Sequence, residues 1–153
     1  MISNRDIDSV LTSACPKTYR GCYASDTLPK QPFKTVPASL VVNISKHTIP
    51  EGHFVAIHET ASAVYYFDPL GISSCSPYYS PSICNFLTRT RKKIISNVVP
   101  IQNISSNYCG YFCIAYILFC NKISPNFDKF ISLFERSSLH NDEMSLEIIK
   151  MLQ

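Results

Sequence analysis

Apolar positions fall in short alternating runs through the middle of the chain and at helical spacing toward both ends. The β-branched run Ser39–Ile44 (SLVVNI) predicts a strand. Gly52–His58 (GHFVAIH) and Val64–Phe67 (VYYF) predict two more. The second of these ends at Asp68-Pro69-Leu70-Gly71, because Pro and Gly both interrupt a ladder. Ile94–Ile101 predicts a fourth strand, broken near Pro100. Ser3–Leu11 predicts a short first helix, with Ser3 or Asn4 as its cap and an acid soon after. Ile83–Lys93 predicts a helix with a basic end, and Asn107–Cys120 the longest helix. Two short amphipathic helices are expected over Phe127–Glu135 and Glu143–Leu152. Cys15–Pro37, rich in Pro, Lys and Thr, reads as extended loop, as does Cys75–Pro81. Strands in the middle with helices at both ends make an α+β chain. Its 153 residues, without a repeat or long linker, suit one domain over 1–153.

Ser105–Cys120 (SSNYCGYFCIAYILFC) is the most apolar stretch and holds three of the seven cysteines. Its apolar part, Tyr108–Cys120, is shorter than the roughly 20 residues that span a bilayer, so a buried core helix is expected and no membrane partner. The opening MISNRDIDSVL lacks a basic flank followed by an apolar core, so no export signal is expected. The chain is then intracellular rather than secreted, where cysteines remain thiols, and an odd count of seven cannot all pair. With 46% hydrophobic and 16% charged residues, disorder is excluded. The net charge of +3 permits an anionic partner without requiring one. Arg89, Arg91, Lys92 and Lys93 bunch together, as a solvated face or as a weak DNA contact.

Cys109 and Cys113 share a helix face, and Cys120 follows on roughly the same side. No further ligands appear at zinc-like spacing, so no metal is expected. Cys113 and Cys120 read as small buried hydrophobes. Cys109 stands at the start of the helix, after the capping types Ser105, Ser106 and Asn107. There the helix dipole and unpaired N–H groups favour the thiolate. Gly110 beside it would leave room for a substrate backbone. Two readings stand: a nucleophile, or a cysteine that happens to occupy the first turn.

A nucleophile needs a base. His140 lies in a polar segment and His47 in a loop. His53 and His58 bracket one strand and face opposite sides of it. A connection of Glu59–Ser62, or a tighter two-residue turn, pairs His58 with Ala63 and therefore His53 with Asp68. Opposed residues share a face with Cβ atoms about 4.5–5.5 Å apart. The carboxylate would then fix the imidazole tautomer and stabilise its charged form. A three- or five-residue loop would break this register. Read singly, His53 is equally a surface histidine and Asp68 a turn residue before Pro69. For an oxyanion donor, Gln102 and Asn103 precede Cys109, alongside the Cys109 backbone N–H.

The order His53, Asp68, Gln102, Cys109, in the settings GHFVAIH, YYFDPLG, IQN and NYCGYFC, resembles the adenain family of adenovirus maturation proteases and the related SUMO-type deconjugating proteases. TYRGCYASDTLPK and SLVVNIS also look like the viral branch. The resemblance runs from about Ser3 to Cys120. It implies a papain-like cysteine peptidase fold with rearranged chain order and a nucleophile at the start of a buried helix. It assigns Cys109 as nucleophile, His53 as base and then acid, Asp68 as orienting acid and Gln102 as oxyanion donor. It implies cleavage of viral precursor proteins at small-residue, Gly-containing sites, in the host cell or its nucleus and in the virion, without a cofactor for the chemistry. An activating peptide and DNA are further partners in that family. The alternatives are a deconjugating protease for ubiquitin-like modifiers and a non-catalytic binding module. The chain departs from the viral pattern with Asp68 where Glu is usual, Phe54 where Trp is usual, and no cysteine between Asn85 and Gln102 for the activating peptide's disulfide.

Overall fold

A computed structural model describes residues 1–49 and 51–153. The chain is α+β. One five-stranded sheet runs in the order β1 (Tyr19–Ala24), β2 (Ala38–Asn43), β3 (Phe54–Glu59), β4 (Ala63–Phe67), β5 (Lys93–Ser96). It is mixed: β1 is parallel to β2, β2–β3 and β3–β4 are antiparallel, and β4 is parallel to β5. The helices are α1 (Asn4–Ala14), α2 (Pro81–Arg89), α3 (Cys109–Lys122), α4 (Phe127–Ile131) and α5 (His140–Leu152).

Alternation along the central strands sends residues to two cores. Leu40, Val42, Val55, Ile57, Val64 and Tyr66 meet Ile83, Phe86 and Leu87 of α2. Val41, Phe54, Ala56 and Phe67 meet α3, which is also packed by Ile7 and Leu11 of α1, Phe130 of α4 and Ile148 of α5. Helix α3 therefore lies between the sheet and the other helices. This is why its apolar residues occur all round it rather than on one stripe. Cys113 and Cys120 are buried within it, as expected of small hydrophobes.

Several elements differ from the sequence expectation. The 15–37 segment contains β1, which a loop reading missed. Its pairing with β2 shifts between Tyr19 and Cys22, and Gly21 has φ 125°. That irregularity removes the alternation a strand usually shows. Helix α2 stops at Arg89, before a left-handed Arg91 with φ 56°. β5 ends at Ser96 rather than near residue 101. Asn97 then takes over: its side chain accepts from the Asp68 N–H at 2.9 Å and donates to the Asp68 carbonyl at 2.7 Å. Helix α1 keeps the expected cap, with Ser3 and Asp6 bonding reciprocally.

The β3–β4 register also differs. Glu59 pairs with Val64 and His58 with Tyr65, so His58 does not face Ala63 and His53 does not directly face Asp68. Glu59 remains in the strand because Lys92 holds its buried carboxylate at 2.9 Å. Thr60 instead closes the turn, its N–H donating to Ala63 O at 2.8 Å and its hydroxyl lying 3.1 Å from the same oxygen. The register moves by two places, which preserves every face. His53 and Asp68 become diagonal neighbours just beyond the ladder.

Candidate active site

Helix α3 begins at Cys109, and Tyr108 is its N-cap without a side-chain hydrogen bond. The expected caps do other work. Ser106 Oγ accepts from the Tyr108 N–H at 3.1 Å and donates to Asp142 of α5 at 2.7 Å. The first turn thus keeps N–H groups that no side chain covers. Cys109 is buried among them. Burial opposes ionisation of its thiol, but the His53 imidazole and the N–H groups of Phe54 and Gly110 outweigh it. The pKa falls below the usual value of 9.0.

The His53 ring is held from one side. Its Nε2 lies 2.7 Å from Asp68 Oδ1, with the imidazole 14% exposed and the carboxylate fully buried. Nδ1 is then the ring nitrogen left for Cys109. Burial disfavours the charged imidazole, yet hydrogen bonds and charge from Asp68 and Cys109 prevail, raising the pKa from 6.5 to about 9. The two shifts share one cause, the proximity of the His53 imidazole and the Cys109 thiol. The side-chain hydrogen bond that fixes the His53 ring is the one to Asp68.

A buried carboxylate needs donors on its remaining lone pairs. Asp68 Oδ1 also accepts from the Leu70 N–H at 2.8 Å, the turn that the Pro69-containing sequence builds. Oδ2 accepts from the Tyr79 hydroxyl at 2.5 Å. The Tyr79 ring lies 6.4 Å from that of His53, tilted by 38°. Sequence reading missed Tyr79. Nothing in SPYYSP distinguishes it from Tyr78 next to it, which is 89% exposed.

Gln102 is buried, and its backbone N–H donates to Pro69 O at 3.0 Å, tying it to the Asp68 turn. Its Nε2 donates to Ser106 O at 2.9 Å, while Oε1 is buried without a partner. The amide is thus fixed beside the segment that enters α3, with hydrogen-bonding capacity to spare. Asn103 serves another purpose: it donates to Ser137 O at 2.8 Å and accepts from Ser105.

Gly110 does not make room for a substrate. A methyl group there would sit 2.3 Å from Ile2 Cγ2, 3.2 Å from Ile7 Cδ1 and 3.3 Å from Phe54 Cδ2. The glycine admits the segment leading into α1. A cavity of about 260 Å³ opens nearby, its lining including Ile2, Ser3, Asn43, Lys46 and the two residues flanking His53, Gly52 and Phe54.

The other histidines stand apart. His58 is buried, bonds Ser39 at 2.7 Å through Nδ1, and is pushed by burial down to about 4. His47 pairs with Asp26 at 2.6 Å on the surface, and His140 is exposed. Among the basic residues, Lys92 is committed to Glu59 and the Thr60 carbonyl, and Arg89 reaches Pro29 O at 3.4 Å, whereas Arg91 and Lys93 are exposed.

Not all cysteines are free. Cys75 and Cys84 form a disulfide with Cα atoms 5.2 Å apart, against the expectation of thiols throughout. The 70–80 loop folds back on the first turn of α2, capped by Ser80 with Pro81 behind it, and brings the two together. Five cysteines, an odd remainder, stay reduced. Among the described residues no helix is long and apolar enough to cross a membrane, and no cluster of three or more His, Cys, Asp or Glu could hold a metal. Compared with known proteins, the chain matches no protein-family model and no curated protein.

Proposed function

We propose that the chain is a cysteine endopeptidase with Cys109 as nucleophile, His53 as base and acid, Asp68 as orienting acid and Gln102 as oxyanion donor. One observation carries the reading: the buried Asp68 carboxylate holds Nε2 of His53 at 2.7 Å, and that same imidazole lowers the pKa of a thiol at a helix start without a side-chain cap. A structural histidine needs no such thiol, and a structural cysteine gains nothing from a lowered pKa.

The chemistry follows from these positions. The Cys109 thiolate adds to a peptide carbonyl, forming a C–S bond and an oxyanion. The Gln102 amide and the Cys109 backbone N–H receive that charge. Protonated His53 gives its proton to the leaving amine as the C–N bond breaks, leaving an acyl-thioester. Neutral His53 then takes a proton from water, the hydroxide attacks the thioester, and the thiolate leaves with the carboxylic acid as product. Asp68 keeps His53 in the required tautomer and orientation.

The finer reading rests on resemblance. The order of the four residues and the mixed sheet with a buried nucleophile helix agree with the papain-like, rearranged adenain family. We therefore assign small-residue, Gly-containing sites of viral precursor proteins as substrates, inside the host cell or virion. A DNA contact would fall to Arg91 and Lys93 with help from Arg89.

The test is cleavage of a Gly-containing peptide library read by mass spectrometry. Wild type and Cys113→Ala should cut, while Cys109→Ala and His53→Ala, shown to be folded, should not. Activity that survives Cys109→Ala but not Cys113→Ala would overturn the assignment. Preference for ubiquitin-like fusions over short peptides would move the chain to the deconjugating class. Folded wild type without any cleavage would leave a binding module.

A further inference from the structure

Tyr79 reaches the buried Asp68 from a loop that has its own covalent anchor. The loop follows the Asp68–Gly71 turn at the end of β4 and enters α2 at Pro81. Within it, the Tyr79 side chain turns inward to the Asp68 carboxylate, while its neighbours Pro77 and Tyr78 lie at the surface. Few backbone bonds brace the segment: Ser76 N–H to Ser73 O and Tyr79 N–H to Ser76 O, both at 3.0 Å. Ser73 Oγ accepts from the Cys75 N–H and Ser76 Oγ from the Tyr78 N–H, both at 3.3 Å, and the Cys75–Cys84 disulfide, its cysteines nine positions apart, closes the loop around Tyr79 covalently. Cys75 is exposed and Cys84 half-buried, so small solutes reach the bond. The five other cysteines include four that are buried.

We infer that Cys75–Cys84 is a thiol-exchange site for low-molecular-weight thiols, and that its oxidised form positions Tyr79 against Asp68. The inference rests on the reading of His53, Asp68 and Cys109 as a catalytic set. The exchange balances: one thiolate attacks an accessible sulfur to give a mixed disulfide and one free cysteine thiolate. A second thiol resolves it, so two thiols become one disulfide as Cys75 and Cys84 gain the two electrons and two protons. Exposed disulfides are the labile ones, and the glutathione pool of a reducing compartment is the matching reagent.

The consequence reaches the nucleophile through two contacts. The cross-link keeps Tyr79 over Asp68, which keeps water from the Asp68–His53 pair. His53 in turn favours the Cys109 thiolate. Tyr66, Tyr79, Cys113 and Asp68 are the other titratable groups around His53 and Cys109. Opening the loop solvates the pair and weakens its attraction several-fold, since charge interactions fall as water enters. Cys109 then moves back toward an ordinary thiol. Tyr79 acts here as a positioning residue.

The experiment follows alkylation of Cys109 by iodoacetamide against pH, using peptide mass mapping of the full chain. It needs no substrate, so it is separate from whether the chain cleaves peptides. Three forms are compared: wild type oxidised, wild type equilibrated with reduced glutathione, and Cys75→Ser/Cys84→Ser. In the oxidised form the alkylation midpoint should lie below 9, and a tenfold or greater loss of Cys109 reactivity at pH 7 should accompany reduction. The double variant should match the reduced form and ignore glutathione. Tyr79→Phe should lose reactivity with the cross-link intact. Equal midpoints in oxidised and reduced protein would overturn the coupling. Mapping that finds Cys75 and Cys84 unpaired even in oxidised glutathione would overturn the site itself.

Discussion

Gly110→Ala probes how the nucleophile helix is seated. The added methyl would stand 2.3 Å from Ile2 Cγ2, where carbon–carbon contacts settle at about 3.5–4.0 Å. Ile7 and Phe54, at 3.2 and 3.3 Å, block escape to either side. Ile2, 8% exposed, must therefore leave its place or α1 must shift. Overpacking of this kind costs about 1–3 kcal/mol, and the better helix propensity of Ala returns up to about 1 kcal/mol. A net loss of roughly 1–2 kcal/mol follows, which lowers Tm by about 2–8 °C in a chain of this size. Urea unfolding of wild type, Gly110→Ala, Ile2→Ala and the double variant makes a cycle. Truncating Ile2 removes the obstructing methyl, so Gly110→Ala should become neutral or stabilising in the Ile2→Ala background, with a coupling near the net loss. Additive effects, or a fully stable Gly110→Ala, would refute the claim that Ile2 fills this space. They would restore the idea that the glycine faces open ground.

Other outcomes follow from the same geometry. Peptidase activity should rise with pH as the Cys109 thiol ionises below its usual value of 9.0, and fall as His53 loses its proton near 9. Because the folded pKa of His53 is raised, its contribution to stability is complete below about pH 6.5 and is lost as pH rises through about 9. Chemical unfolding at pH 6 and pH 10 should show that loss in wild type and less of it in His53→Ala. Asp68→Asn keeps the shape but removes the charge that holds Nε2, and should lower kcat about a hundredfold or more. Gln102→Ala should lower kcat by about 100–1,000-fold with a small change in KM, as expected of a group that acts in the transition state.

Long apolar runs made the core legible from the sequence, and part of the candidate site's geometry was legible too. SLVVNI, GHFVAIH and VYYF became the three central strands, because a sheet packed on both faces needs apolar residues at nearly every position. The pairing of His53 with Asp68 was anticipated from a register that proved two places off. The contact survives because a shift of two leaves both side chains on one face. Glu59 caused the error: an acid after a strand reads as turn, and only the distant Lys92 shows why it stays buried. β1 was invisible because its pairing is irregular and its residues only partly buried. Tyr79 and the Cys75–Cys84 bond depend on how a Ser- and Pro-rich loop folds back, which no periodicity encodes. The purpose of Gly110 was misread because its neighbour Ile2 is more than a hundred residues away in the chain.

The central claim is that His53 activates Cys109 and no other thiol. A peptide vinyl sulfone ending in Gly tests it directly, with intact mass and peptide mapping as readout. Wild type should take up one equivalent, on Cys109, and folded His53→Ala should take up none under the same conditions. Label on Cys22, Cys113 or another cysteine, or undiminished label on Cys109 in His53→Ala, would contradict the account.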